Sequence, residues 1–155
     1  MSRPLPIYER KKNTRTWLLP HNHIKIESYF EDAVHFILVQ VIVNLESKEI
    51  LEITPQFFRC PYLDLCPLSL ESYQNLKGVK IEKGFNSKVK EKVPFKEGCT
   101  HINALLREVG DALVQSYYYL TAKERDGEER RNFLKKQLLN TCVAYSDKNF
   151  SQTQE

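Results

Sequence analysis

The sequence is poor in glycine and in net charge, and each shortage argues against a class of function. Only five glycines occur in 155 residues, and the patterns G-x-x-x-x-G-K-[ST], G-x-G-x-x-G and G-x-S-x-G are absent. Phosphate-cradling loops and the serine-hydrolase elbow are therefore not indicated. Lys and Arg number 23 against 20 Asp and Glu. A balance of +3 does not predict a nucleic-acid partner, because such proteins usually carry larger, clustered positive charge.

Long apolar runs are also missing. The longest, Val34 to Val43, is interrupted by His35 and Gln40 and is far shorter than the roughly 20 residues of a membrane-spanning helix. No apolar stretch of the secretory type follows the N-terminus. We therefore expect a cytoplasmic protein without a membrane partner, and the sequence does not identify a small-molecule ligand.

Cysteine is scarce as well: Cys60, Cys66, Cys99 and Cys142 are irregularly spaced and too few for a disulfide framework. Cytoplasmic thiols stay reduced, so grouped cysteines there more often indicate metal binding or reactivity. Cys142 lies on the apolar side of a predicted helix, and we expect an inert core thiol.

The order of elements, strands first and helices later, predicts an α+β fold: a small antiparallel sheet packed against a long amphipathic helix and a C-terminal helix. We expect an extended arm at 1–14, one domain at 15–145 and a flexible tail at 146–155. The predicted elements are a hairpin within 16–29, a central strand at 34–43 covered on both faces, a returning strand at 49–54 ended by Pro55, a short helix at 67–77, a short strand at 79–84, a charged loop at 85–95, a long helix from an N-cap at Thr100, and a last helix at 128–143.

One short motif combines several chemical roles. Gly98-Cys99-Thr100-His101 precedes apolar residues spaced by three and four, which mark one face of a helix of about 20 residues. The positive end of a helix favours the thiolate form of a cysteine, and an imidazole can bind metal or accept a proton. Cys99 and His101 are thus two soft-metal ligands, or a nucleophile and a base, or an incidental pair at a capped helix.

Other cysteines and histidines add weaker signals. Cys60 and Cys66 have the spacing C-x5-C, which is not that of a zinc knuckle, and at least one of them is expected to be structural. His35 lies on an apolar strand face, where a core histidine is commoner than a ligand. Glu31 and Asp32, just before it, would lie near the ring and orient it. His21 and His23 are interpreted as surface residues of a turn.

Four patterns together carry a resemblance: Asp32-x-x-His35, Pro61-x-x-x-x-Cys66, Leu76-x-Gly78 and Gly98-Cys99-Thr100-His101 with Leu105-Leu106. From about Trp17 to Tyr119 the chain resembles an uncharacterised family of bacterial proteins, classed as a domain of unknown function, with a G-C-T-H signature. The resemblance implies no activity. It points to Cys66, Cys99 and His101 together, with His35 as a fourth. The chain also resembles, at the level of fold, iron–sulfur scaffold proteins of the IscU type.

Three functions follow from these residues. The first is a zinc or iron–sulfur site formed by Cys66, Cys99, His101 and His35. The alternative is a non-catalytic ligand-binding module or a homodimer that pairs through the long helix. The third is a thiol-dependent enzyme in which Cys99 is the nucleophile and His101 or His35 the base.

Overall fold

The computed structural model describes residues 4–150, which form the expected α+β fold. A single antiparallel sheet has the order β1 (Arg10–Leu19), β2 (His23–Asp32), β3 (Phe36–Asn44) and β4 (Ile50–Arg59). The α-helices are α1 (Phe85–Lys92), α2 (Thr100–Lys123), α3 (Gly127–Leu138) and α4 (Asp147–Phe150). The chain divides into two compact units, the first ending at Val114 and the second beginning at Gln115. Positions 1–3 of the expected arm and 151–155 of the expected tail lie outside the described residues.

The hydrophobic core of the first unit lies on one face of the sheet. Alternate residues of β2 and β3 are buried, as the period-2 pattern of a strand requires. The buried aliphatic residues of these two strands are Ile24, Ile26, Ile37, Val39, Val41 and Val43. Burial of each stabilises the fold by about 1.5–3 kcal/mol relative to an exposed position. The outward residues of β3 are only half-buried, so the expectation that both faces are covered is wrong.

The returning strand does not end at Pro55. β4 continues to Arg59, and Pro55 is buried opposite Val39. Proline has no backbone N–H and cannot donate a hydrogen bond to a neighbouring strand. Because β4 is an edge strand with a neighbour on one side only, it can contain a residue without an N–H. The prediction that proline terminates this strand was therefore wrong because the strand is at the edge.

A helix occupies the segment expected to be a charged loop. In α1 the buried residues Phe85 and Val89 are four apart, and Val93 follows at the same spacing. Gly84, with φ of +88°, precedes the helix in the left-handed conformation that glycine adopts most easily. Three apolar positions among many lysines form too narrow a stripe to stand out in the sequence.

The long helix is confirmed and runs for 24 residues as α2. Its predicted inner positions in the first unit are all buried: Ile102, Leu105, Leu106, Val109 and Leu113. Gly110 lies where α2 approaches α1, because a Cβ there would be 3.4 Å from the ring of Phe85. A salt bridge of 2.9 Å from Lys12 of β1 to Glu108 joins α2 to the sheet.

The remaining elements differ from expectation in detail. The short helix at 67–77 is a pair of 3-10 helices, Cys66–Ser69 and Glu71–Leu76. The expected strand at 79–84 contributes one isolated bridge, Glu49 with Lys80. Helix α3 ends at Leu138, earlier than predicted, and none of its residues is buried.

Candidate functional site

The G-C-T-H motif lies at the N-terminus of α2. The carbonyl of Cys99 accepts a hydrogen bond of 3.0 Å from the N–H of Asn103, the first such bond of the helix. Cys99 is therefore the N-cap residue, and Thr100, predicted as the cap, is the first residue inside the helix. The side chain of an N-cap residue is the one that can reach the N–H groups of the first turn, which have no acceptor within the helix.

The backbone of Cys99 is held by a buried tyrosine. The hydroxyl of Tyr73 accepts from the N–H of Cys99 at 2.8 Å. The same hydroxyl lies 2.9 Å from the carbonyl of Cys99 and 2.8 Å from Oδ1 of Asn103, and its proton serves these two acceptors. Burial raises the pKa of Tyr73 far above its ordinary value, so the hydroxyl keeps its proton.

Gly98 makes this arrangement sterically feasible. A Cβ at position 98 would lie 2.7 Å from Cγ1 of Val93 and 3.2 Å from the hydroxyl of Tyr73. Any larger residue must therefore displace Val93 or Tyr73, and the hydroxyl of Tyr73 holds the backbone of Cys99. The first residue of the motif is required by space, and not by an unusual backbone angle.

The thiol and the imidazole of the motif face each other. Sγ of Cys99 lies 3.7 Å from Nδ1 of His101, within hydrogen-bonding distance for sulfur. Both residues are half-buried. A proton can therefore pass between the two side chains without any rearrangement of the backbone.

His101 is packed among aromatic rings. The centre of its ring lies 4.2 Å from that of His35 and 5.5 Å from that of Phe30. Burial lowers the pKa of His101, its electrostatic interactions with His35 and Arg10 lower it further, and the carboxylate of Asp32 acts in the opposite direction. A neutral imidazole can accept a proton, so this environment suits a base.

A buried carboxylate fixes the second histidine. The side chain of Asp32 is 2% exposed, and its Oδ1 lies 3.1 Å from Nδ1 of His35. Oδ2 accepts from Arg10 at 2.8 Å and from the hydroxyl of Tyr8 at 2.9 Å. Burial alone would raise the pKa of Asp32, but these donors and the backbone N–H groups of His35 and Val34 together lower it strongly. Asp32 is therefore ionised and lies next to His35, as the sequence predicted; that it orients the ring stays a prediction.

The loop after β4 brings two more thiols to the region. Cys60 is buried, and its thiol donates to the carbonyl of Tyr62 at 3.8 Å. Burial raises the pKa of Cys60, and so do a hydrogen bond with Cys66 and the charges of Cys66 and Cys99. Cys66 is half-buried. Cys60, which the resemblance does not include, thus lies close enough to Cys66 and Cys99 for both to affect its pKa.

Comparison with known proteins identifies a family. The family model described as a protein of unknown function, DUF2889, matches residues 12–115. The chain belongs to this family. No curated protein and no solved structure matches the chain. The resemblance to a domain of unknown function is confirmed, whereas the analogy to IscU-type scaffolds stays a hypothesis.

The DUF2889 match contains every residue that the sequence singled out for the site. Of these, the structure brings Cys99, His101 and His35 together, whereas Cys66 lies beside Cys60. Among residues 4–150, no three His, Cys, Asp or Glu side chains are grouped so that they could hold a metal ion. The assignment of Cys66, Cys99, His101 and His35 as ligands stays a prediction.

Other expectations for this DUF2889 chain have mixed outcomes. Cys142 is exposed, so the prediction of a core thiol is wrong: α3 ends before it and no longer places it on a packed face. His21 lies in a turn where it and Asn22 have positive φ, and it is exposed, as predicted, whereas His23 is the half-buried first residue of β2. No helix in the described part of the chain has both the length and the apolarity to span a bilayer.

Three residues that shape the DUF2889 site carry no sequence signal. Tyr8 and Arg10 were assigned to an extended arm, but β1 begins at Arg10 and pairs it with Asp32 in the sheet register. Tyr73 lies in the segment for which the sequence predicts only a short helix, at 67–77. The contact of its hydroxyl with Cys99 joins residues 26 positions apart, and periodicity within one element does not predict such a contact.

Proposed function

We propose that this protein is a thiol-dependent enzyme in which Cys99 is the nucleophile and His101 is the general base. The observation that carries the proposal is the distance of 3.7 Å between Sγ of Cys99 and Nδ1 of His101 at the start of a 24-residue helix. A nucleophile within hydrogen-bond reach of a base is the arrangement that covalent catalysis requires.

The reaction that these groups support best is acyl transfer from an activated ester or thioester. His101 accepts the thiol proton, and the thiolate of Cys99 adds to the carbonyl carbon. The leaving alcohol or thiol then departs with the proton that His101 holds, and water hydrolyses the thioester left on Cys99. Negative charge that develops on the carbonyl oxygen would be stabilised by the free N–H groups of the first turn of α2.

Tyr73 supports this role by holding the backbone on either side of the nucleophile. It bonds both the N–H and the carbonyl of Cys99, and its own side chain is fully buried. The position of the thiol relative to the helix N-terminus is therefore fixed before a substrate arrives. Such preorganisation lowers the cost of reaching the transition state.

The test uses p-nitrophenyl acetate as a chromogenic acyl donor. We expect release of nitrophenolate together with an acetyl group on Cys99, located by mass spectrometry of peptides. Cys99→Ser should abolish both signals. His101→Asn should slow acylation by about 100-fold, the usual contribution of a general base. Cys142→Ser removes an exposed thiol far from the motif in sequence and is the matched control, which should react like the wild type.

Two results would contradict the proposal. One is an acetyl group distributed over the cysteines without preference for Cys99. The other is a rate of Cys99 acetylation that His101→Asn leaves unchanged. Either result would favour the alternative of a non-catalytic ligand-binding or homodimeric module, in which Cys99 is dispensable.

A metal centre is the second candidate, because Cys99 and His101 are soft-metal ligands held close together. Zinc or an iron–sulfur cluster bound by Cys66, Cys99, His101 and His35 would give near-stoichiometric metal in purified protein. Elemental analysis before and after dialysis against a chelator separates the candidates. A thiol enzyme keeps its acylation rate after chelation, whereas a metal site loses metal in Cys99→Ser.

A further inference from the structure

The carboxylate of Asp32 accepts several hydrogen bonds at each of its two oxygens. Oδ2 accepts from Tyr8 and twice from Arg10, at 2.9, 3.1 and 2.8 Å. Oδ1 accepts from the N–H groups of Val34 and His35, at 3.0 and 2.7 Å, and lies 3.1 Å from the His35 ring. Burying an ionised carboxylate is costly unless every lone pair is used, and here both oxygens are fully engaged.

The contact with Asp32 indicates which nitrogen of the His35 ring carries a proton. A carboxylate accepts hydrogen bonds, so Nδ1 of His35 carries the proton and donates it to Oδ1. The ring cannot rotate without breaking that bond, and its side chain is 16% exposed. Phe30 packs against both histidine rings, and the guanidinium of Arg10 lies 4.3 Å from the centre of the Phe30 ring.

The fixed His35 ring lies against His101, the proposed base, with ring centres 4.2 Å apart and planes inclined by 44°. His101 reaches Cys99 through Nδ1, so any rotation of its ring would move the base away from Sγ. Asp32, His35, His101 and Cys99 therefore form a continuous series of contacts from a buried carboxylate to the thiol.

We propose that Asp32 and His35 are positioning residues for His101. Asp32 fixes the His35 ring, and the His35 ring keeps His101 directed at the thiol of Cys99. This inference rests on the proposed function, since it assigns an orienting group to a base, as nucleophile–base sites commonly have. Arg10 and Tyr8 act one step further away, by holding the carboxylate.

The experiment measures the rate of acetylation of Cys99 by p-nitrophenyl acetate in Asp32→Asn, His35→Phe and the double variant. Phenylalanine keeps an aromatic ring beside His101 but removes the hydrogen bond to Asp32. We expect each single variant to slow acetylation by about 10-fold to 100-fold, as loss of an orienting partner does. The double variant should be no slower than the slower single variant, because both changes break the same connection.

Matched controls keep the outcomes separate. Glu31→Gln alters the neighbouring carboxylate, whose 3.0 Å salt bridge to Arg59 is half-exposed, and should leave the rate unchanged. Thermal unfolding shows which variants are folded. If Asp32→Asn does not fold, the acetylation rate of His35→Phe tests the positioning role. Wild-type rates in folded His35→Phe, or additive losses in the double variant, would overturn the inference while Cys99 and His101 keep their roles. A wild-type protein whose Cys99 is not acetylated would instead refute the proposed function, and this inference with it.

Discussion

Asp32 connects the N-terminal strand, the central hairpin and the histidine pair through one carboxylate. Its folded pKa is lowered, so its contribution to stability is present above the ordinary value of 3.8 and is lost as the pH falls below it. At neutral pH the side chain is a charged group with 2% exposure, paired with Arg10. Removing the charge leaves the guanidinium without its partner.

Substitution of Asp32 is expected to destabilise the protein clearly. Asp32→Ala removes the buried carboxylate of a partly buried ion pair, together with the hydrogen bonds it accepts, and should lower the free energy of unfolding by about 3 kcal/mol. The measurement is denaturant unfolding at pH 7. Glu31→Ala, which removes an exposed pair with Arg59, should have little effect. Equal losses in the two variants would show that the burial of Asp32 has no energetic consequence.

The four thiols are expected to differ in their rate of alkylation. Cys142 is exposed and should react first among the thiols outside the motif. Cys60 is buried, and burial raises its pKa, so it should react slowest in folded protein. Time-resolved labelling followed by peptide mass spectrometry measures the order. Fast labelling of Cys60 would show that the loop after β4 opens readily.

At the scale of elements, the sequence predicted the hairpin, the central strand and α2 because each has a strong period. Alternation in β2 and β3 and the three-and-four spacing in α2 reflect a single buried face, and such faces can be read from one segment. The course of β4 through Pro55 and the helix α1 depend on position in the sheet and on a few contacts from other elements. Neither is encoded within its own segment.

Part of the candidate site could likewise be predicted from the sequence, and part could not. Cys99 and His101 could be found from the sequence because they lie two residues apart at a helix start. Their contacts with Tyr73, Phe30 and His35 join separate elements, and only the folded chain brings these together. A single sequence thus shows where the thiol and the base are, but not which groups hold them.

The junction before α2 is expected to tolerate no side chain at Gly98. Gly98→Ala would place Cβ 2.7 Å from Val93 and 3.2 Å from the Tyr73 hydroxyl. We expect a loss of about 1–3 kcal/mol in the free energy of unfolding, typical of overpacking, and slower acetylation of Cys99. Gly127→Ala is the control, since a Cβ placed there would meet nothing within 4 Å in the described part of the chain other than adjacent residues and its own helix backbone, and it should retain wild-type stability and rate.

At the scale of the whole molecule, His101 should make stability depend on pH. The folded pKa of His101 is lowered, so the folded chain binds fewer protons than the unfolded chain just below the ordinary value of 6.5. Stability contributed by the neutral ring is present above pH 6.5 and is lost as the pH falls through the lowered folded value. The groups that face this ring are His35, Arg10, Asp32 and the thiol of Cys99.

We therefore expect the melting temperature to be level above pH 7 and to decrease as the pH falls below 6.5. His101→Gln should reduce the steepness of that decrease, and His21→Gln, which changes an exposed histidine, should not. Differential scanning calorimetry from pH 7 downward measures these melting temperatures. A melting temperature of His101→Gln that follows the wild-type curve would show that protonation of this ring is not linked to folding.

The homodimer predicted from the long helix also belongs to this scale and stays a prediction. The inner face of α2 up to Leu113 is buried within the first unit, so pairing would have to use other positions. Light scattering combined with size exclusion distinguishes a species of 18.2 kDa from one of twice that mass. Such pairing is compatible with thiol chemistry and does not decide between the proposed functions.

The most direct test of the central claim is the rate at which Cys99 reacts with iodoacetamide between pH 6 and 8. If His101 takes the thiol proton, Cys99 should react about tenfold faster than the thiol of N-acetylcysteine amide near pH 7, and His101→Asn should remove the difference. A Cys99 that reacts no faster than this reference thiol, or one whose rate is the same in His101→Asn, would contradict the assignment of nucleophile and base.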